Sequence, residues 1–418
     1  MTLDPVHFDG IAQLAGRIRK GVDATDHRDF ATTVWEEFLD PLYADGTPVI
    51  EPLGDQRRRL IDLEDAALME SRFPTQHGLD SGTINPTTFK NGLVIDVAQA
   101  AMAAVPSDLE LHRGRTIVST VHSNDATVAV GEDDWVPFDR GYGRGRIMQA
   151  PRVDRYEQTV VHALALYLAE SSHATLNAEV VEDLLILDGP IYPTGLLKWT
   201  DQDPTLAELL VEDERPRDVV QNYVDLVETF VERDVPVAGF VKSSSSKALT
   251  RAVRRQTNAP WVNDAAFFET LLRRTDDDGE TRTDALTFTN WFRSRAGADR
   301  VLSTRGDCEI DIERELDDEA YEVTFFVVYD PREELVYRVE APSAFTEDPD
   351  LREDLTMQVL SDVAARKGPP MAVEKADELA RISRQEKGAL ERQLEETFET
   401  GQQRVYDDVR WDSVETPF

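Results

Sequence analysis

Residues 184–193 read LLILDGPIYP. Four consecutive apolar residues, Leu184 to Leu187, fit a strand buried on both faces. Asp188 ends the run, and Gly189 and Pro190 stop the strand at once. A carboxylate at the rim of a buried strand must be solvated, paired or bound to a cation, because an isolated buried charge is too costly. Which of these holds for Asp188 decides both the fold and the chemistry.

Around this stretch, hydrophobic periodicity predicts alternating elements. Residues 7–45 and 55–70 carry helical spacing and read as a helical N-terminal region. Residues 92–105 (GLVIDVAQAAMAAV, counted from Gly92) fit a strand running into a helix. Residues 115–123 and 125–131 fit a strand pair, and 153–176 a long helix. Strands follow at 180–188 and 235–242, separated by a helix over 223–234, with another helix over 246–256. YEVTFFVVYD (321–330) and ELVYRVEAP (334–342) predict a hairpin, and the rest is helical. Strands mixed with crossover helices predict an α/β domain holding both parallel and antiparallel pairs. RRTDDDGETRTD (273–284) has the composition of an exposed acidic insertion.

Of 418 residues 41% are apolar, enough for a sizeable core. No run is long enough to span a membrane, and the N-terminus lacks a basic then apolar leader, so a cytoplasmic protein is expected. Cys308 is the only cysteine, which excludes internal disulfides and cysteine zinc sites. It sits in the acidic stretch GDCEID, which disfavours a thiolate nucleophile. The balance of 45 basic against 81 acidic residues gives a net charge of −36, and only eight of the basic residues are lysine. Acid excess with scarce lysine points to a surface adapted to molar salt, where the Debye length of about 3 Å screens self-repulsion. The acidity is then environmental and does not exclude a nucleic-acid ligand.

Acidic residues at the rims of neighbouring strands build magnesium or manganese sites, since hard cations take oxygen ligands. Asp80, in GLDSG (78–82), is the first partner for Asp188, although Asp-Ser-Gly is also ordinary turn chemistry. A third carboxylate should come from the intervening helix. A strand from Val180 to Asp188 climbs roughly 27 Å, and a helix covering that distance in reverse needs about 18 residues. Counted from Glu157 it ends near Thr175, so Glu157 returns to the Asp188 end of the sheet. Glu170 serves only if the helix breaks early, and otherwise reads as a solvated helix face.

Two basic islands stand out. RGYGRGRIMQAPRVDR (140–155) holds five arginines, among them Arg152 and Arg155. KSSSSKALTRAVRR (242–255) holds Lys242, Lys247, Arg251, Arg254 and Arg255 and no acid. These are the candidate DNA contacts, with the amides at the start of the second helix able to accept a phosphate. Ordinary surface arginines paired with the abundant acids are the alternative.

From about Phe73 to Ser383 the chain resembles the archaeal and bacterial NurA nucleases. The resemblance rests on GLDSG with Asp80, RVDRYE with Glu157, LLILDGP with Asp188 and GFVKSSSS with Lys242. It also rests on KGPPMAVEKADELARIS, where Pro369 and Asp377 replace the family's Tyr and His. The resemblance implies an α/β, ribonuclease H-like mixed sheet flanked by helices. Residues 1–72 are then a helical N-terminal region, 73–383 the nuclease domain with insertions, and 384–418 a C-terminal helix and tail. It implies a catalytic set of Asp80, Glu157, Asp188, Lys242 and Asp377, with the four acids holding Mn²⁺ or Mg²⁺, two ions in all. It also implies single-strand endonuclease and 5′–3′ exonuclease activity on DNA in double-strand-break end resection, by a homodimer docked on a hexameric HerA-type translocase of a salt-adapted archaeon. A non-catalytic DNA-end-binding scaffold is the alternative implied by the missing Tyr and His.

Overall fold

The computed structural model describes residues 4–19, 27–125, 127–128, 130, 135–244, 246–276, 278–303 and 310–403. Cys308 lies outside the described residues. Fifteen described strands join one mixed sheet. At its centre the short strand Leu185–Leu187 runs parallel to Gln76–Thr83 on one side and to Val237–Val241 on the other. Beyond Gln76–Thr83 the sheet continues antiparallel through Leu93–Val105 and Arg115–Ser123. Beyond Val237–Val241 it continues through the hairpin Val323–Asp330 and Leu335–Pro342. The expected mixture of parallel and antiparallel pairs is therefore present.

Both faces of the sheet are covered, so its central strands are apolar throughout. The helix Glu157–Leu176 buries Val160, Leu164 and Leu168 in one core together with Leu79, Leu185 and Leu187. The helices Pro349–Arg366 and Met371–Ala380 cover the other face, where Val359, Val363 and Val373 join Ile186, Phe240 and Val339.

Three elements differ from their sequence patterns, each for a tertiary reason. Residues 93–105 form one 13-residue strand instead of a strand and a helix. Its alanines favour helix in isolation, but small side chains let helices approach both faces, and pairing on both edges overrides propensity. The strand expected over 180–188 shrinks to Leu185–Leu187: Ala178–Val180 forms a 3₁₀ turn, and just before the strand the Asp183 carboxylate accepts from the amide and hydroxyl of Thr75. The N-terminal region is only partly helical: Leu42–Ala44, Thr47–Pro52 and Arg58–Asp62 are strands of the main sheet. Arg58–Asp62 forms by pairing with Ala285–Thr289, a partner more than 200 residues away that periodicity cannot see. The strand expected at 125–131 falls partly outside the described residues. Thr127 and Val128 are not strand, and the neighbour of Arg115–Ser123 is instead the parallel strand Gly143–Gln149.

Candidate metal centre

Asp80 sits within the strand Gln76–Thr83, not in a turn. Side chains alternate across a strand, so Gly78, Asp80 and Gly82 share one face. The two glycines have a definite task. A Cβ on Gly78 would stand 2.1 Å from the carbonyl oxygen of Ala372, and one on Gly82 would stand 2.3 Å from that of Ala380. The helix Met371–Ala380 therefore lies directly on the bare strand backbone, with Asp80 between its two points of contact. That close approach delivers Asp377.

Asp188 arrives from the adjacent strand, and its amide donates to the carbonyl of Leu79 at 2.8 Å. The chain then turns at Gly189, whose φ of +143° suits glycine. The turn crosses the backbone of Gly239, where a side chain would meet Gly189 O at 2.6 Å. One strand further, Lys242 follows Val241 and its Nζ donates to Asp188 Oδ2 at 2.6 Å.

One carboxylate oxygen from each of Asp80, Asp188 and Asp377 lies within 4.8 Å of the other two. The consequences are electrostatic. Burial, reinforced by the charges of Asp188 and Glu170, pushes the Asp80 carboxyl up to about 8. Burial likewise raises Asp188, against the opposing pull of the Lys242 ammonium. Three oxygen donors that repel one another when ionised fit a hard divalent cation, which would relieve the repulsion and displace the proton.

Glu170, not Glu157, is the helix carboxylate beside this cluster. Its Oε1 accepts from Ser81 Oγ at 2.5 Å and its Oε2 from Tyr223 OH at 2.9 Å, which ties it to the residue after Asp80. Burial raises the Glu170 carboxyl, against the two hydrogen bonds. Glu157 is the first residue of the same helix, 13 positions earlier, or about 20 Å along the axis. The expectation for Glu157 failed because it assumed a nine-residue strand. With a three-residue strand, a 20-residue helix overshoots the site and the level position moves down to Glu170.

The basic residues divide. Lys247 and Arg251 line a cleft of ≈ 550 Å³ together with Lys198, Pro190 and Ser244, next to the turn after Asp188. Arg254 instead donates to the carbonyls of Ala259 and Trp261, and Arg255 pairs with Asp45, so both are held in local structure. The amides expected to take a phosphate are already used: the Asp264 carboxylate accepts from Leu249 N at 3.3 Å and Thr250 N at 2.8 Å. Arg152 and Arg155 lie at the Glu157 end of the long helix, near Asp125 and Asp203 respectively.

Strand and helix lengths read from the sequence favour Glu157 and leave Glu170 as the alternative, and a lone Glu on an apolar helix gives no sign of the Ser81 and Tyr223 that hold it. The spacing Gly78-x-Asp80-x-Gly82 was the missed signal, since glycines two apart on each side mark a face that another backbone must reach.

The family model for the NurA domain matches residues 74–382. Among solved structures, the NurA nuclease from Sulfolobus solfataricus aligns with 12% identity and a TM-score of 0.49, over 95% of this chain and 98% of that one. A NurA structure bound to dAMP and manganese aligns with 10% identity and a TM-score of 0.42, over 91% and 94% of the two chains. Among curated proteins nothing matches. By the family match, which spans most of its length, this chain belongs to the NurA domain family.

Proposed function

We propose that the protein is a divalent-metal-dependent deoxyribonuclease. The observation that carries this reading is the convergence of Asp80, Asp188 and Asp377, with Lys242 against Asp188, at one rim of the sheet. Asp80, Asp188 and Asp377 would hold Mn²⁺ or Mg²⁺, with Glu170 either a further ligand for a second ion or a brace for Asp80 through Ser81. When bound, such an ion supplies Lewis-acid stabilisation of a phosphodiester and a more acidic water. Lys242 fixes the Asp188 carboxylate and offers an ammonium to charge growing on the phosphoryl oxygens. Lys198, Lys247 and Arg251 would guide the strand toward that rim, because arginine and lysine meet phosphates well.

Topology supports the ribonuclease H-like reading. Taken in chain order, the five central strands lie third, second, first, fourth, fifth, with the first three antiparallel and the last two parallel to the first. Membership of the NurA family supports action on DNA ends, single-strand and 5′–3′ cleavage, a homodimer, and a HerA-type translocase as partner in end resection. One experiment tests the core of the proposal: manganese-dependent cutting of single-stranded DNA by the native protein and by Asp188→Asn. Cutting lost with the substitution is expected, and cutting that survives it rejects the site.

The scaffold reading is favoured by one feature. Asp377, standing where the family has His, is paired with Arg381 at 2.7 Å and so has a cation already. A native protein that binds DNA ends but cuts nothing in manganese would establish that reading instead.

A further inference from the structure

A second cleft, of ≈ 420 Å³, is lined by Arg28, Arg58, Arg59, Arg273, Arg274 and Arg282. This is a local inversion of charge in a chain of −36. Arg59 is engaged by Glu353 at 2.7 Å and stacks over Phe288. Asp284 meets Arg282 at 2.6 Å and Arg274 at only 3.6 Å, while Asp62 and Asp276 act on Arg282 from further off. Nη1 of Arg274 is buried and makes no hydrogen bond among the described residues. Arg58 is exposed and has no acid partner among them. Leu60, 55% exposed, lies amid the guanidiniums and gives the cleft an apolar floor. The acidic insertion over 273–284 thus turns its arginines inward, with Thr275 and Thr281 bridged across its neck.

The position of the cleft matters as much as its charge. Thr287, which lines it, pairs with Tyr329 and Leu60. Following registers across the sheet puts Thr287 at the same rim as Asp188, about three residues beyond it. From the Asp80 strand to the Thr287 strand there are five inter-strand steps, or about 24 Å. The cleft with Lys247 and Arg251 lies on the way, against Val241 and Arg338.

We propose that the arginine cleft is a second phosphate-binding site, taking the sugar–phosphate backbone of a nucleic-acid strand whose scissile bond lies at the carboxylate cluster. Guanidinium forks match phosphate oxygens, and the exposed leucine suits a sugar or base face. The inference rests on the nuclease reading for its substrate but not for its binding. Stacked at about 3.4 Å per nucleotide, about seven nucleotides span the gap, and an unstacked strand spans it with roughly half as many, so only strands longer than that engage both sites.

The test uses the full chain, with Arg58→Glu and the milder Arg58→Ala as variants. Binding of labelled single strands of about 20 and about two nucleotides is followed by anisotropy in EDTA, over a salt series. For the long strand Arg58→Glu is expected to weaken binding roughly tenfold and to lower the salt slope by about 0.7 per lost phosphate contact. A short strand held in the cleft cannot reach the carboxylate cluster, so Arg58→Glu should lower manganese-dependent cutting of the long strand far more than cutting of the short one. Equal long-strand affinity and slope in native protein and both variants would overturn the proposal. Inorganic phosphate should displace the long strand from the native protein more than chloride does at equal ionic strength, and this excess should shrink in Arg58→Glu; an excess of the same size in the variant would place the phosphate contact elsewhere and overturn the proposal. If the native protein binds the long strand through Arg58 but cuts neither strand in manganese, the nuclease reading fails while the cleft stands.

Discussion

The carbonyl oxygen of Ala372 occupies the space in which a side chain on Gly78 would begin, 2.1 Å from the ideal Cβ position. This contact, repeated at Gly82 and Ala380, sets the helix Met371–Ala380 on the strand and brings Asp377 to Asp80. Gly78→Ala must therefore push the helix away. Overpacking of this kind typically costs about 1–3 kcal/mol. The expected outcome is a lower melting temperature together with a much smaller stabilisation by manganese. An unchanged response to manganese would mean that Asp377 does not belong to the site.

The pH dependence follows from Asp80. Its carboxyl is pushed up to about 8 in the folded protein, so the fold holds a proton that the unfolded chain releases near the ordinary value of 3.8. Between about pH 4 and pH 8 the folded state binds more protons, and stability falls as pH rises. Melting temperatures in EDTA should decline across this range, and manganese should flatten the decline. A rise in EDTA would contradict the clustered carboxylates.

Glu170 and Glu157 are separated by a paired substitution. Glu170→Gln disturbs the bonds to Ser81 and Tyr223 and should lower manganese affinity or turnover roughly 10–100-fold, the range for groups that orient metal ligands. Glu157→Gln should leave both within about twofold. The reverse result would restore the sequence-based assignment.

Salt provides an independent check. Screening of a net charge of −36 grows as the Debye length falls from about 10 Å at 0.1 M to about 3 Å at 1 M. Thermal stability should rise steeply over that interval in potassium chloride. A flat response would assign the acidity to something other than salt adaptation.

How much of this was legible beforehand depends on range. Asp188 could be placed from the sequence because strand, carboxylate, glycine and proline are neighbours in LLILDGP. The hairpin 323–342 and the helix–strand succession from 214 to 256 were legible for the same reason, since local periodicity and turn residues agree with the tertiary result. Glu170 was not, because its position depends on a strand of three residues where the apolar pattern suggests nine. The strand Arg58–Asp62 and the arginine cleft were not, because their partners lie more than 200 residues away. Asp377 was reached only through the family resemblance; its helix carries no local mark of the strand beneath it.

The most direct test is anomalous diffraction from a crystal soaked in manganese. A peak bridging the carboxylates of Asp80, Asp188 and Asp377 is the predicted result. Manganese bound elsewhere, with none at these three side chains in a protein that still cuts DNA, would contradict the account.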